Sequence, residues 1–260
     1  MNIAILGANG RMGKALLDVV NEDQQVRLSA ACVRANSTYY QQPIAQSSLH
    51  YTTINEALSE DVDVVIDFTL PDALQGHLQQ CVEANKPVVV GTTGLLSQQS
   101  AALVAAAQQI PVVFAANYSV GVTLMTKLSR MAASALGDTA DIEIIEAHHR
   151  HKRDAPSGTA KAIGEAIADE LQIDLEQHAI YGREGDTGER DQKTIGFSTI
   201  RGGDIIGEHT VLFADNGERL EITHRASSRQ TFALGAVRAA KWVVGKTPGL
   251  YDLEDVLGIK

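Results

Sequence analysis

A chain of 260 residues with 44% apolar side chains can bury one large α/β core or two smaller ones, which excludes a disordered or scaffold-sized protein. Its formal net charge of −10 argues against nucleic-acid or membrane-surface binding, because no extended basic face can dominate the long-range field. No stretch approaches the roughly 18 uninterrupted apolar residues of a membrane span, no basic leader precedes an apolar run, and Cys32 and Cys81 lack metal or redox spacing, so a reduced, cytoplasmic protein is expected.

The first half alternates short β-branched runs with helical patterns. "NIAIL", "VRLSAACV", "VDVVIDF", "PVVVGTT" and "PVVFAAN" read as strands, and "GKALLDVVN", "ALQGHLQQCVEA" and "SQQSAALVAAAQQ" as the helices between them. That rhythm predicts an α/β fold with a Rossmann-like, doubly wound parallel sheet, whose strands stay apolar throughout because helices cover both faces. From residue 120 the rhythm changes. A helix at "VGVTLMTKLSRMAASAL", a strand at "DIEIIEAHH", a helix from about Ser157 and three strands expected to be antiparallel, at "KTIGFSTIR", "DIIGEHTVLFA" and "ERLEITHRA", predict a C-terminal α+β domain with a mixed, mostly antiparallel sheet over 120–228. Asn216-Gly217 supplies the tight turn between the last two strands, and "YGREGDTGERDQK" reads as a mobile excursion. The closing segment 229–260 returns to complete the dinucleotide-binding domain of 1–119.

Gly7, Gly10 and Gly13 follow the first strand and open a helix. Glycines allow close approach to a pyrophosphate, and the helix start offers free N–H groups to it. The spacing is G-x-x-G-x-x-G, a weak motif strengthened by its position in the first βα turn. After the second strand stand Val33 and Arg34, with no carboxylate to hold a ribose diol. Arg34 can pair with a 2′-phosphate, which favours NADPH while leaving NADH possible. Gly91, Thr92 and Thr93, with Ala115, Ala116, Asn117 and Tyr118, end later strands on the ligand-binding edge and are expected to enclose the nicotinamide. Phe68 and Thr69 are candidates for the same wall, with a place in the core an equal reading for Phe68.

In "EAHHRHKRDAPSGTA", His148, His149, His151 and Lys152 end a strand, and Pro156 introduces a helix capped by Asp154 or Ser157. Ser157, Gly158 and Thr159 then form an anion site at a helix start, beside groups able to move protons near neutral pH. Three other readings compete. A metal site lacks a familiar ligand spacing, a solvated basic loop end is possible in principle, and nucleophilic chemistry at Ser157 lacks a G-x-S-x-G elbow.

"GANGRMGK", "GTTG", "AANYSVGV", "EAHHRHKRDAPSGTA", "GEHTVLFADNGERLEITHRASSR" and "TFALGAVRAA" together resemble the 4-hydroxy-tetrahydrodipicolinate (dihydrodipicolinate) reductase family, over the whole chain. The resemblance implies NAD(P)H-dependent reduction of a cyclic dicarboxylate, with loss of water, in the diaminopimelate route to lysine, by a homotetramer built through the C-terminal sheet. It also implies a proton-handling His148, a proton donor in Lys152, a substrate contact at His149 and a carboxylate-binding turn at Gly158 and Thr159. The family's cofactor positions fall on Gly7, Ala8, Asn9, Gly10, Arg11, Met12, Arg34, Gly91 to Thr93 and Ala115 to Tyr118. Three features depart from the family pattern: Val33 replaces a common acidic residue, Tyr118 a common phenylalanine, and the segment after the second strand is short.

Overall fold

The computed structural model describes residues 1–45, 47–58 and 61–260. Their backbone contacts divide into two compact units, Met1–Val120 with Arg229–Lys260, and Gly121–Ser228.

In the first unit, β1 (Asn2–Leu6), α1 (Arg11–Glu22), β2 (Arg27–Cys32), α2 (Ile54–Ala57), β3 (Val64–Asp67), α3 (Pro71–Glu83), β4 (Val88–Val90), α4 (Ser97–Ala107) and β5 (Pro111–Phe114) follow in order. Successive side chains of β1 enter opposite cores. Ile3 and Ile5 join Leu16, Leu17 and Val20 of α1, whereas Ala4 and Leu6 join Leu74 and Leu78 of α3 and Leu103 of α4. Both faces are dry, so the strands carry no polar alternation. The parallel sheet has β1 flanked by β2 on one side and β3 on the other, and β4 and β5 beyond. Strand order therefore reverses at β1, which opens a crevice at the carboxyl ends of β1 and β3.

The second unit holds most of α5 (Val120–Leu136), then β6 (Asp141–His148), α6 (Gly158–Glu170), α7 (Leu175–His178), β7 (Ala179–Tyr181), β8 (Ile195–Arg201), β9 (Gly207–Asp215) and β10 (Glu218–Ala226). Its sheet runs β10-β9-β6-β8-β7. Met125 and Ala133 of α5, and Ile163 and Ile167 of α6, cover one face through Ile144, Phe197, Val211 and Phe213. The sheet is mixed. β9 and β10 form the expected antiparallel hairpin, but β8 runs parallel to β6 and β7, because the helical crossover through α6 returns the chain in the same direction.

The glycine-rich excursion is bonded to the sheet at two points. Arg183 donates to both oxygens of Glu143, and Arg190 donates to Glu143, Asp141 and the carbonyls of Ile142 and Thr194. Gly196 leaves room for the Glu143 carboxylate over β8, where any Cβ would collide with it.

The chain ends with α8 (Gln230–Val243), β11 (Gly249–Tyr251), which adds to β5, and α9 (Leu253–Leu257), all in the first unit. Gly235 of α8 lies against the carbonyl of Tyr118, too close for a side chain. Tyr118 itself is fully buried, and its hydroxyl lies 2.9 Å from the Val90 carbonyl and 3.1 Å from that of Val113. The Tyr118 side chain thus gives its one hydroxyl proton to the ends of β4 and β5. Tyr118→Phe should lower stability by about 1 kcal/mol, read as a lower denaturant midpoint with an unchanged slope.

Candidate active site

A cleft of about 900 Å³ lies at the crevice of the first unit, lined by Gly7, Asn9 and Gly10 after β1, Val33 and Arg34 after β2, and Phe68 and Thr69 after β3. Its floor requires glycine. Gly7 has φ +70°, its carbonyl accepts from Gly10 N at 2.9 Å, and a Cβ on Gly13 would strike the Gly7 and Ala8 backbone. Gly10 ends this turn as the N-cap of α1 and brings no side chain to its first amides, which stay available to an anion. Ala8 is buried and Met12 packs on the core, so these two shape the turn through their backbone, whereas Arg11 and Arg34 are exposed.

The "GTTG" turn meets this wall. Gly91 abuts the Phe68 ring, which leaves no space for a Cβ, and Phe68 packs on Tyr118 with centroids 5.5 Å apart. Thr92 is buried with its hydroxyl unpartnered, while Thr93 and Ala116 are exposed and Ala115 half-buried. Asn117 turns its Oδ1 back to accept from Ser119 N. The glycine floor, the free helix start and the orphaned Thr92 hydroxyl fit a dinucleotide. His77, which lines the cleft, and the Asp67 carboxylate beneath it were not singled out from sequence. Asp67, fully buried, accepts from Thr69 N and Oγ1 and lies 2.8 Å from Nδ1 of His77, which lines the cleft.

In the second unit the inward-facing row of the sheet is polar at one end. Register sets Glu146 of β6 beside Thr199 of β8 and His209 of β9, and His148 beside Arg201. Glu146 is 1% exposed and both its oxygens are filled. Oε1 accepts from Ser157 N, Thr199 Oγ1 and Arg201, and Oε2 from Arg201 and His148 Nδ1, the last at 2.6 Å. Burial pushes the Glu146 carboxyl up, but Arg201 and His148 outweigh it and hold the group below its ordinary value. Because an ionised carboxylate brings no proton, Nδ1 of His148 donates, and Nε2 is left open. A Cβ on Gly207 would lie 3.1 Å from that Nε2. Burial lowers the His148 imidazole, with the Glu146 bond and charge opposing.

Ser157 caps α6, its Oγ accepting from Ala160 N at 3.1 Å and lying 3.0 Å from Nε2 of His209. Asp154, the other cap expected, instead pairs with Lys152 through both oxygens at 2.9 Å, because the hydroxyl of Ser157 occupies the capping position. Gly158 is open to solvent, and Thr159 follows in the first turn of α6. His149 has a buried Nδ1 without a partner, and His151 is exposed. Glu146, Thr199, Arg201 and His209 were missed from sequence, although polar residues at inward positions of an alternating strand are a readable signal. Among the described residues no group of three or more His, Cys, Asp or Glu is placed to hold a metal ion.

A parallel sheet with a glycine-floored cleft at its switch point, and a separate unit carrying an oriented imidazole beside a helix start, define the class as a Rossmann-type reductase. Comparisons with known proteins narrow it. The profile described as dihydrodipicolinate reductase, N-terminus, matches residues 1–118, and its C-terminus counterpart matches 121–257. A 4-hydroxy-tetrahydrodipicolinate reductase of Pseudoalteromonas atlantica is 60% identical, covering 99% of this chain and 98% of its own. One from Alkalilimnicola ehrlichii is 58% identical with the same coverage. Among solved structures, the dipicolinate-bound dihydrodipicolinate reductase of Paenisporosarcina sp. TG-14 superposes with a TM-score of 0.78 at 25% identity, covering 98% of each chain. The chain belongs to the dihydrodipicolinate reductase family.

His209 carries a pH signature. Burial, then the neighbouring His148, push it down to about 4 from an ordinary 6.5. The unfolded chain takes up this proton first, so stability is full above pH 6.5 and falls as pH drops towards 4, by about 3 kcal/mol from this group. His148 and His224, both also lowered by burial, add in the same sense. Denaturant titrations of His209→Gln across this window should show a shallower pH slope than the parent protein.

Proposed function

We propose that this chain catalyses NAD(P)H-dependent reduction of (2S,4S)-4-hydroxy-2,3,4,5-tetrahydrodipicolinate to (S)-2,3,4,5-tetrahydrodipicolinate with loss of water, in the diaminopimelate route to lysine. The names of its close relatives support the reaction. One structural observation carries the site: Glu146 binds both the imidazole of His148 and the amide of Ser157 at the start of α6, so a proton-handling group and an anion-binding turn share one anchor. The substrate's carboxylates bind the amides and hydroxyl of Gly158 and Thr159, aided by His149. His148, with Nε2 open, and the Lys152 ammonium manage the proton that balances reduction of the ring.

The cofactor is held by Gly7 to Met12, Gly91 to Thr93 and the backbone of Ala115 to Tyr118, and when bound its reduced nicotinamide supplies the hydride. Arg34, exposed on the cleft rim with Val33 in place of a carboxylate, favours NADPH by pairing with the 2′-phosphate, and NADH remains a weaker alternative. The outer face of the second unit's sheet, with Ile180 and Ile200 exposed, is assigned to a homotetramer interface, which a monomer mass in sedimentation would refute. We place the enzyme in the cytoplasm, where its two buried free thiols stay reduced; among the described residues no helix is long and apolar enough to cross a membrane.

Substrate generated from pyruvate and aspartate semialdehyde by the upstream synthase, with loss of NADPH absorbance as readout, tests the reaction. Turnover is expected, and its absence discards the proposal. His148→Gln and Lys152→Ala should each lose on the order of a hundredfold in kcat while cofactor binding survives. In the same assay Arg34→Ala should lower the NADPH-to-NADH ratio of kcat/KM roughly tenfold or more; an unchanged ratio removes Arg34 from phosphate recognition.

A further inference from the structure

Glu146 stands in no direct path to solvent, yet it bonds the His148 imidazole, the Arg201 guanidinium and the Ser157 amide at the start of α6. Its carboxylate is shared by two cationic or potentially cationic partners: Arg201 in a two-point contact at 2.8 Å to each oxygen, and His148 at 2.6 Å. Arg201 is held in turn by the Asp154 carbonyl at 2.6 Å and its own neighbour Ile200 at 2.7 Å, so the guanidinium cannot swing away without losing four bonds. The other groups facing His148 are His209 of β9, whose ring centroid lies 5.3 Å away, and Lys152, itself paired with Asp154. Gly207 flanks the open Nε2 and adds no charge.

We propose that Glu146 is a positioning residue that fixes His148 as the tautomer with Nε2 open, and that Arg201, by competing for the same carboxylate, limits how strongly the imidazolium is held. The competition has a defined sign. A carboxylate favours the charged imidazole and a guanidinium opposes it, so the two partners pull His148 in opposite directions through a single shared group. Burial of the carboxylate matters here, because shielding from water leaves its charge to be divided between these partners. A purely structural ion pair predicts instead that loss of either member loosens the same strand ends in the same way.

This inference deepens the role proposed for His148 and rests on it, but its test does not depend on turnover. The full-length chain, labelled at histidine Cε1, is titrated by NMR, with the His148 signal assigned by its absence from His148→Gln. Glu146→Gln should lower the apparent pKa of His148 by about one unit or more, Arg201→Gln should raise it, and Arg201→Lys should largely restore the parent value. Shifts in the same direction, or none in either variant, would overturn the proposal. If Glu146→Gln does not fold, the Arg201 pair decides alone: a rise in Arg201→Gln reversed by lysine supports charge competition, and no rise refutes it. Opposite NMR shifts with an unmoved pH profile of kcat would sustain the pair while removing His148 from proton handling.

Discussion

A carboxylate taken out of water must be compensated by the chain itself, and Glu146 is compensated from four directions at once. Backbone N–H from the start of α6, a hydroxyl and a guanidinium from β8 and an imidazole from its own strand converge on two oxygens. The four partners come from three separate stretches of sequence, so the bond set forms only when β6, β8 and α6 are in register. Isolated ion pairs on a surface are weak organisers. This one organises because its alternatives, an unpaired buried charge or a buried backbone N–H left without an acceptor, are both costly. The same anchor delivers a directed imidazole to one end of the sheet and a rigid set of amides beside it.

The first unit solves a different problem by subtraction. Where a dinucleotide must approach the backbone, side chains are removed: Gly7 and Gly13 clear the turn, and Gly91 makes space for the ring of Phe68. That ring then leans on Tyr118, whose hydroxyl ties the ends of β4 and β5. The ends of β4 and β5 are thereby held by packing and by one phenol, while Thr92 Oγ1 nearby has no partner.

Much of this was legible from sequence because the signals are local. Periodicity marked β1 to β5, the apolar runs announced a sheet covered on both sides, and Asn216-Gly217 marked the β9–β10 hairpin. The direction of β8 was not, because parallel or antiparallel pairing depends on the route of the crossover and not on the strand's own residues. The cap of α6 was left open between Asp154 and Ser157 for a related reason: both are good cap formers, and only the fold sets Ser157 Oγ against Ala160 N while Asp154 pairs with Lys152. The candidate His148, Lys152 and Ser157 to Thr159 were visible as one unusual stretch. Arg201 and His209 lie 53 and 61 positions beyond His148, so nothing in their local context joins them to it until the sheet forms.

The return of the chain to its first unit has a consequence for biosynthesis. Ala233, Ala236, Val237, Ala240 and Val243 of α8 are core residues of a sheet whose strands β1 to β5 are made more than a hundred positions earlier. On the ribosome that half-built layer must wait, one apolar face covered only by α1, while the whole second unit is synthesised. The second unit, continuous in sequence, can complete its fold first. Order of emergence and order of completion are thus reversed: the half that leaves the ribosome first is the half that closes last.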